Sequence, residues 1–287
     1  MSQRKKTKMK ERFTQGTIIE NMRSGKYPGI RCKGIVISAR CDLAQNKIKY
    51  FHCLMALPLE DWFFEVLFND IVEEKKKELF GKIKRYAEEN DLDFDSLINM
   101  GIDKVEYILT QCVGDNKKKS NDISIWISTW KTIEEFSCEK KDRNHKNVYL
   151  RNNAEKLVKS KMQQLYNSAY PKFAFVPVKA YSCNSSSVEG LVIDLQDIKQ
   201  IDMNVKNDIL DYKYDFSTYQ GDRKEEINKL FFFENESDFV MADGIITSPW
   251  IEYILQLFAH SFIRIGVDNA FDYEIREYCN RIMEANT

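Results

Sequence analysis

The period of the hydrophobic pattern changes twice along this chain, at Leu59 and again after Pro171, and that double change is what most constrains the fold. Residues 13–57 read as β structure. Thr17-Ile18-Ile19 starts a strand, a turn follows around Gly25-Lys26-Tyr27-Pro28-Gly29, and Gly34 to Ser38 is a continuous β-branched run of the kind buried on both faces. A polar loop from Asp42 to Lys47 leads to a third run, Tyr50 to Leu57, closed by Pro58. Three short strands cannot bury a core by themselves, so they need partners from elsewhere in the chain.

From Leu59 to about Glu89 the apolar residues recur at three- and four-residue steps (Trp62, Val66, Phe68, Ile71, Val72, Leu79, Ile83, Tyr86), which predicts an amphipathic helix. Asp95 is placed to cap a short helix through Met100, and Asp103 to Val113 continues the pattern. A polar loop is expected over 114–122, with helical periods returning at 123–138 and 150–167. Tyr107, Trp126, Trp130 and Phe136 fit core packing of this block. β character resumes at Phe173-Ala174-Phe175-Val176-Pro177-Val178, where Pro177 suits an edge or a bulge. A turn at Cys183 to Ser187, a strand from Gly190 trailing to Ile201, and strands over Leu230–Glu234 and Phe239–Ile246 follow. Ser248-Pro249 opens a helix to about Ile265, and a last helix spans Phe271 to Met283.

The organisation expected is α+β: a small β barrel built from both ends of the chain (13–58 and 171–247), interrupted by a helical insertion (59–170), with a basic arm at 1–12 and C-terminal helices at 248–287. A formal net charge of -1 argues against a bulk polyanion-binding role. The 7 cysteines form no CxxC pair, so neither a disulfide framework nor a zinc site is expected, and a reducing cytoplasm is the natural setting. No apolar stretch follows the basic arm, so a signal peptide is not expected, and no segment approaches the roughly 20 apolar residues of a membrane helix. No Gly-rich phosphate loop, HExxH or GxSxG occurs, which weighs against nucleotide hydrolases, zinc proteases and α/β-hydrolases, and no cofactor is expected.

Gln15 to Ile19, Arg31 to Ser38 and Met55 to Pro58 resemble the opening strands of the MazF/PemK-like toxin barrel, an SH3-like fold, and Gly190 to Asp202 resembles its late strand and tail. That resemblance implies a barrel whose relatives cleave RNA with an Arg on the second strand and a Thr or Ser on the third. Here the second strand offers Arg31 or Lys33 with no Pro after them. Ile48-Lys49-Tyr50-Phe51-His52 offers no hydroxyl amino acid but Tyr50. Ser38-Ala39-Arg40-Cys41-Asp42-Leu43 and the segment Ser248 to Gly266 resemble uncharacterised bacterial proteins of defence loci.

The candidate catalytic residues are therefore Arg31, Lys33, Cys41, Asp42 and His52. Arg31 and Lys33 would stabilise a phosphorane and His52 or Asp42 would act as base. Cys41 beside Asp42 offers a nucleophile, although an Asp after a strand is first of all ordinary turn chemistry. Arg31, Lys33, Arg40, Lys47 and Lys49, interleaved with Tyr50, form a candidate nucleic-acid surface, a pattern that solvated strands also produce. Glu252, His260 and Arg264 form a row on one helix that would frame an anion or pair internally. The function expected is a binding or regulatory component of a toxin–antitoxin-like or phage-defence module, contacting RNA, DNA or a protein partner through the helical insertion. A ribonuclease with a non-standard site is the alternative.

Overall fold

A computed structural model describes residues 13–114, 116–138, 142–183, 190–215 and 224–263. The expected basic arm, the turn expected at Cys183–Ser187 apart from Cys183 itself, Arg264 and the final helix lie outside these residues. The chain divides into two compact units, one from Glu60–Gln164 and the other from Met1–Leu59 with Leu165–Thr287. Among the described residues no helix is long and apolar enough to cross a membrane.

The second unit is built on a curled, seven-stranded antiparallel half-barrel: β1 (Thr17–Met22), β2 (Cys32–Val36), β3 (Tyr50–Pro58), β4 (Phe173–Val176), β5 (Tyr181–Cys183), β6 (Leu191–Asp202) and β7 (Ala242–Ile246), in the order β4-β6-β3-β2-β1-β7-β5. The β-branched runs form the middle strands because those are covered on both faces; Ile18, Ile19, Ile35, Val36 and Leu54 are all essentially inaccessible. One face gathers Ile18, Ile35, Leu54, Ala56, Ile193 and Ile246 against Ile251 and Ile254 of a helix that follows β7. Gly16 joins three strands. Its N–H donates to Val36 O and its carbonyl accepts from Ile246 N, both at 2.8 Å. With φ +91° and a Cβ that would stand 2.7 Å from Ile246 O, the position admits glycine alone without strain.

The sheet edges β4 and β5 are separated by only Pro177 and one 3-10 turn, Val178–Ala180. So short a link spans at most about 17 Å, which is why the sheet has to curl until its two edges meet at one corner. Pro177 stands just past β4, which is an edge strand, where a missing N–H costs no ladder bond.

Short helices complete this unit: α1 (Arg40–Gln45), α9 (Met203–Leu210), α10 (Lys224–Leu230) and α11 (Trp250–Ile263). Four details differ from the sequence reading. Arg40-Cys41-Asp42 is not a strand end and loop but the first turn of α1, which Asn46 closes in the left-handed region at φ 49°, a conformation Asn tolerates. Leu230 ends a helix, and Phe231 makes one isolated bridge with Met22 in place of a strand. The strand expected from Phe239 is confined to Ala242–Ile246. α11 begins at Trp250, with the Thr247 carbonyl accepting its first N–H at 2.9 Å, in place of a start at Ser248.

In the other unit, α2 (Leu59–Trp62) runs through a π-helical turn (Phe63–Leu67) into α3 (Phe68–Glu88). It is followed by α4 (Phe94–Asn99), α5 (Ile102–Gln111), α6 (Lys117–Cys138), α7 (Arg143–Asn153) and α8 (Glu155–Tyr166), of which Leu165 and Tyr166 belong to the half-barrel unit. The cap of α4 is Asp93, which accepts Ser96 N at 2.8 Å, and not Asp95. Most of the polar 114–122 stretch is helical, because α6 starts at Lys117. Trp130 is buried and Phe136 packs edge-on against Phe68 and Tyr149 at 5.1 and 5.0 Å. Tyr107, expected in the core, is 67% exposed. It sits two positions from both Val105 and Leu109, the buried residues of α5, and two positions is more than half a helical turn.

Candidate functional site

The sequence candidates fall into separate places on the half-barrel unit. Lys33 on β2 stands opposite Glu20 on β1, with Nζ 2.7 Å from Oε1, and the two side chains are only 12% and 16% exposed. Burial lifts the Glu20 carboxyl above its ordinary range, outweighing the Lys33 ammonium that draws it down; Asp243 adds to the lift and Arg31 opposes it. Arg31, directly before β2, contacts Glu234 Oε2 and Asp238 Oδ2, each at 3.0 Å. Asp238 is buried and also accepts the Glu234 and Asn235 backbone N–H groups at 2.8 and 3.2 Å. Glu20, Glu234, Asp238 and Asp243 thus surround Arg31 and Lys33 with an excess of negative charge, a poor setting for a phosphate.

Cys41 is exposed on α1, and its thiol donates to Asp42 Oδ1 at 3.6 Å. His52 is exposed on β3, where its backbone N–H donates to Ser38 Oγ at 2.8 Å. Among the described residues no hydrogen bond or ion pair joins the His52 ring to Cys41 or Asp42. Of the basic surface, Arg40 lies on α1 and pairs with Glu252 at 3.3 Å, while Lys47 is exposed just after that helix. Lys49 stands over the Tyr50 ring, 5.0 Å from its centroid. The row on α11 is divided in use: Glu252 faces Arg40, and His260 is exposed near the end of the helix.

A different place in the same unit has the shape of a binding site. Where the two sheet edges meet beside α11, a cleft of about 580 Å³ is lined by Tyr166, Ser168, Phe175, Pro177 and Lys179 together with Pro249, Trp250, Glu252, Tyr253 and Gln256. That size lies within the roughly 300–1,000 Å³ of ordinary ligand pockets. The Tyr166 and Phe175 rings lie 6.4 Å apart, tilted by 40°, and the Trp250 and Tyr253 rings stand edge to face at 6.5 Å. Tyr253 OH is held 2.6 Å from Ser168 Oγ. Tyr166 is 69% exposed and Tyr253 38%, so their ring surface faces solvent in the open cleft.

Comparison with family models, curated proteins and solved structures finds no match to this chain.

A second polar cluster lies where the β1–β2 loop crosses β6. Buried Asp194 accepts from Lys26 Nζ at 3.0 Å, Tyr27 OH at 2.8 Å and Gln196 N at 2.8 Å, and Ser24 Oγ meets Asp197 Oδ2 at 2.5 Å. Lys199 donates to the carbonyls of Arg23 and Lys229, and burial lowers its pKa. Every donor here is matched to an acceptor of the fold, and the cluster ties the loop to a bulge in β6, which skips Leu195–Asp197 in its pairing with β3. Its chemistry is that of a clamp. Neither the clamp nor the cleft follows from spacing, since both join residues far apart in the chain. The one local signal is Trp250-x-x-Tyr253, two aromatic residues one turn apart on α11.

Proposed function

We propose that this chain is a recognition component, an SH3-like curled sheet of the MazF/PemK-like kind that binds nucleic acid or a partner protein in a bacterial toxin–antitoxin-like or phage-defence module. One observation carries the preference for binding over cleavage. Arg31 and Lys33, the cations offered for a phosphorane, are held by carboxylates at 3.0 and 2.7 Å. A transition-state oxyanion needs donors already aimed at it and uncommitted elsewhere. Among the described residues the His52 ring makes no hydrogen bond to Cys41 or Asp42, which supports the same reading, and the 3.6 Å contact of the Cys41 thiol with Asp42 is an exposed one between chain neighbours. The strand resemblance supports the module, and the exposed Met100, Tyr107, Ile125 and Val148 of the helical unit support a protein-contacting surface there.

The test is incubation of the purified chain with a labelled single-stranded RNA, reading cleavage and binding together, beside Arg31→Ala/Lys33→Ala. Binding without cleavage is the expected result. Cleavage by the wild type that disappears in the double variant would overturn the reading in favour of a ribonuclease, and absence of both would leave the protein-binding arm.

A further inference from the structure

We propose that the aromatic cleft beside α11 is a site for a nucleoside phosphate, taking the base between its rings and the phosphate on Lys179. The inference rests on the recognition reading above and names the chemistry of one site. The cleft offers four aromatic rings in two pairs, Tyr166 with Phe175 and Trp250 with Tyr253. In the second pair the planes are 84° apart, so a flat ring stacked on one partner meets the edge of the other.

The charges of the cleft decide between occupants. Glu252 is answered by Arg40 at 3.3 Å. Lys179 is exposed and, among the described residues, has no carboxylate within ion-pair distance. The cleft therefore presents aromatic surface with one unanswered positive charge, complementary to a flat ring system that carries an anion. An apolar peptide would leave Lys179 unanswered. A long polyanion would need a track of cations, which this cleft with its single lysine does not provide. The Glu252 carboxylate and the Gln256 amide supply an acceptor and a donor for the edge of a base. The same chemistry occurs in a free nucleotide and in one nucleotide of a single strand.

Isothermal titration calorimetry of the full chain with AMP, with a short single-stranded RNA and with an apolar proline-containing peptide separates these sources. Affinity for AMP comparable to that for the RNA would mark a free-nucleotide site, and RNA binding tighter than AMP but with a salt dependence of about one phosphate contact would mark a site for one nucleotide of a single strand. Either should fall about tenfold or more in Trp250→Ala, as loss of one stacking face predicts, while Trp250→Phe retains most of it. Lys179→Glu should also weaken binding and flatten its salt dependence by about one phosphate contact. Unchanged far-UV circular dichroism and melting of each variant excludes misfolding as the cause. RNA binding that is unaffected by both substitutions would overturn this site while leaving the recognition reading standing. No binding of AMP or RNA, with the peptide bound, would overturn the site and confine that reading to protein partners.

Discussion

Replacing Lys33 by Met removes one member of a nearly buried ion pair and tests whether this residue holds the sheet together or awaits a ligand. Its ammonium and the Glu20 carboxylate are 2.7 Å apart and only 12% and 16% exposed, so neither is well hydrated. Removing one partner of such a pair strands the other charge, at a cost of about 3–5 kcal/mol when burial is complete. The residual exposure here places Lys33→Met near about 3 kcal/mol at pH 7. Burial already lifts the Glu20 carboxyl above its ordinary range, and Lys33 is the first charge that pulls it down, so its loss lifts Glu20 further. The sign follows from proton linkage. Between the ordinary carboxylate value and the raised one, the folded variant holds a proton that the unfolded chain has released, so stability falls as pH rises through that window. Urea titrations followed by circular dichroism should thus show Lys33→Met costing much less at pH 5 than at pH 7. Glu20→Gln/Lys33→Met should recover about 1–3 kcal/mol of the loss at pH 7, because no stranded charge remains. An equal cost at both pH values, with no relief from Glu20→Gln, would refute the argument and return Lys33 to the role of a phosphate ligand.

Two further substitutions probe the surroundings. Gly190→Ala would set a Cβ 2.5 and 2.7 Å from the Phe175 ring and 3.0 Å from Val176 O. It should cost about 1–3 kcal/mol by thermal melting, and by displacing Phe175 it should also weaken any ligand of the cleft. Tyr27→Phe removes one of three donors to buried Asp194 and should cost about 1–2 kcal/mol while speeding amide exchange across Ser24–Ile30. Burial and Asp194 hold the Tyr27 phenol far above its ordinary value of about 10, so the wild type should lose stability on alkaline titration above that value more steeply than Tyr27→Phe.

The middle of the half-barrel was legible because its strands are recognised by what they exclude. Runs such as Ile35-Val36 and Cys53 to Leu57 have no polar face to offer water, and they became β2 and β3 at the centre of the sheet. Its margins were not. Arg40 to Gln45 has too few apolar residues to show a period, so one buried Leu43 and a left-handed Asn46 made a helix where a loop was expected. Phe231 to Phe233 reads as a strand by composition, yet the run follows α10 and makes a single bridge with Met22. Their burial is a tertiary matter that β propensity does not encode.

The candidate site was illegible for a related reason. A sequence shows which side chains carry charge but not which charges are already answered. Arg31, Lys33 and Arg40 stand out in the strand pattern as a basic patch, and each meets a carboxylate supplied from another part of the fold: Glu234 and Asp238, Glu20, and Glu252. Lys179, two residues after Pro177 and within a single turn, carries no local signal. It is distinguished only once the curl of the sheet has brought Phe175 to the corner where α11 begins, so that Phe175, Trp250 and Tyr253 line one cleft with it. The availability of a charge is a property of the folded neighbourhood: Arg31, Lys33 and Arg40 are answered by carboxylates, Lys47 and Lys49 are exposed without one among the described residues, and Lys179 alone of these three free lysines lines the aromatic cleft that a flat anionic ligand would fit.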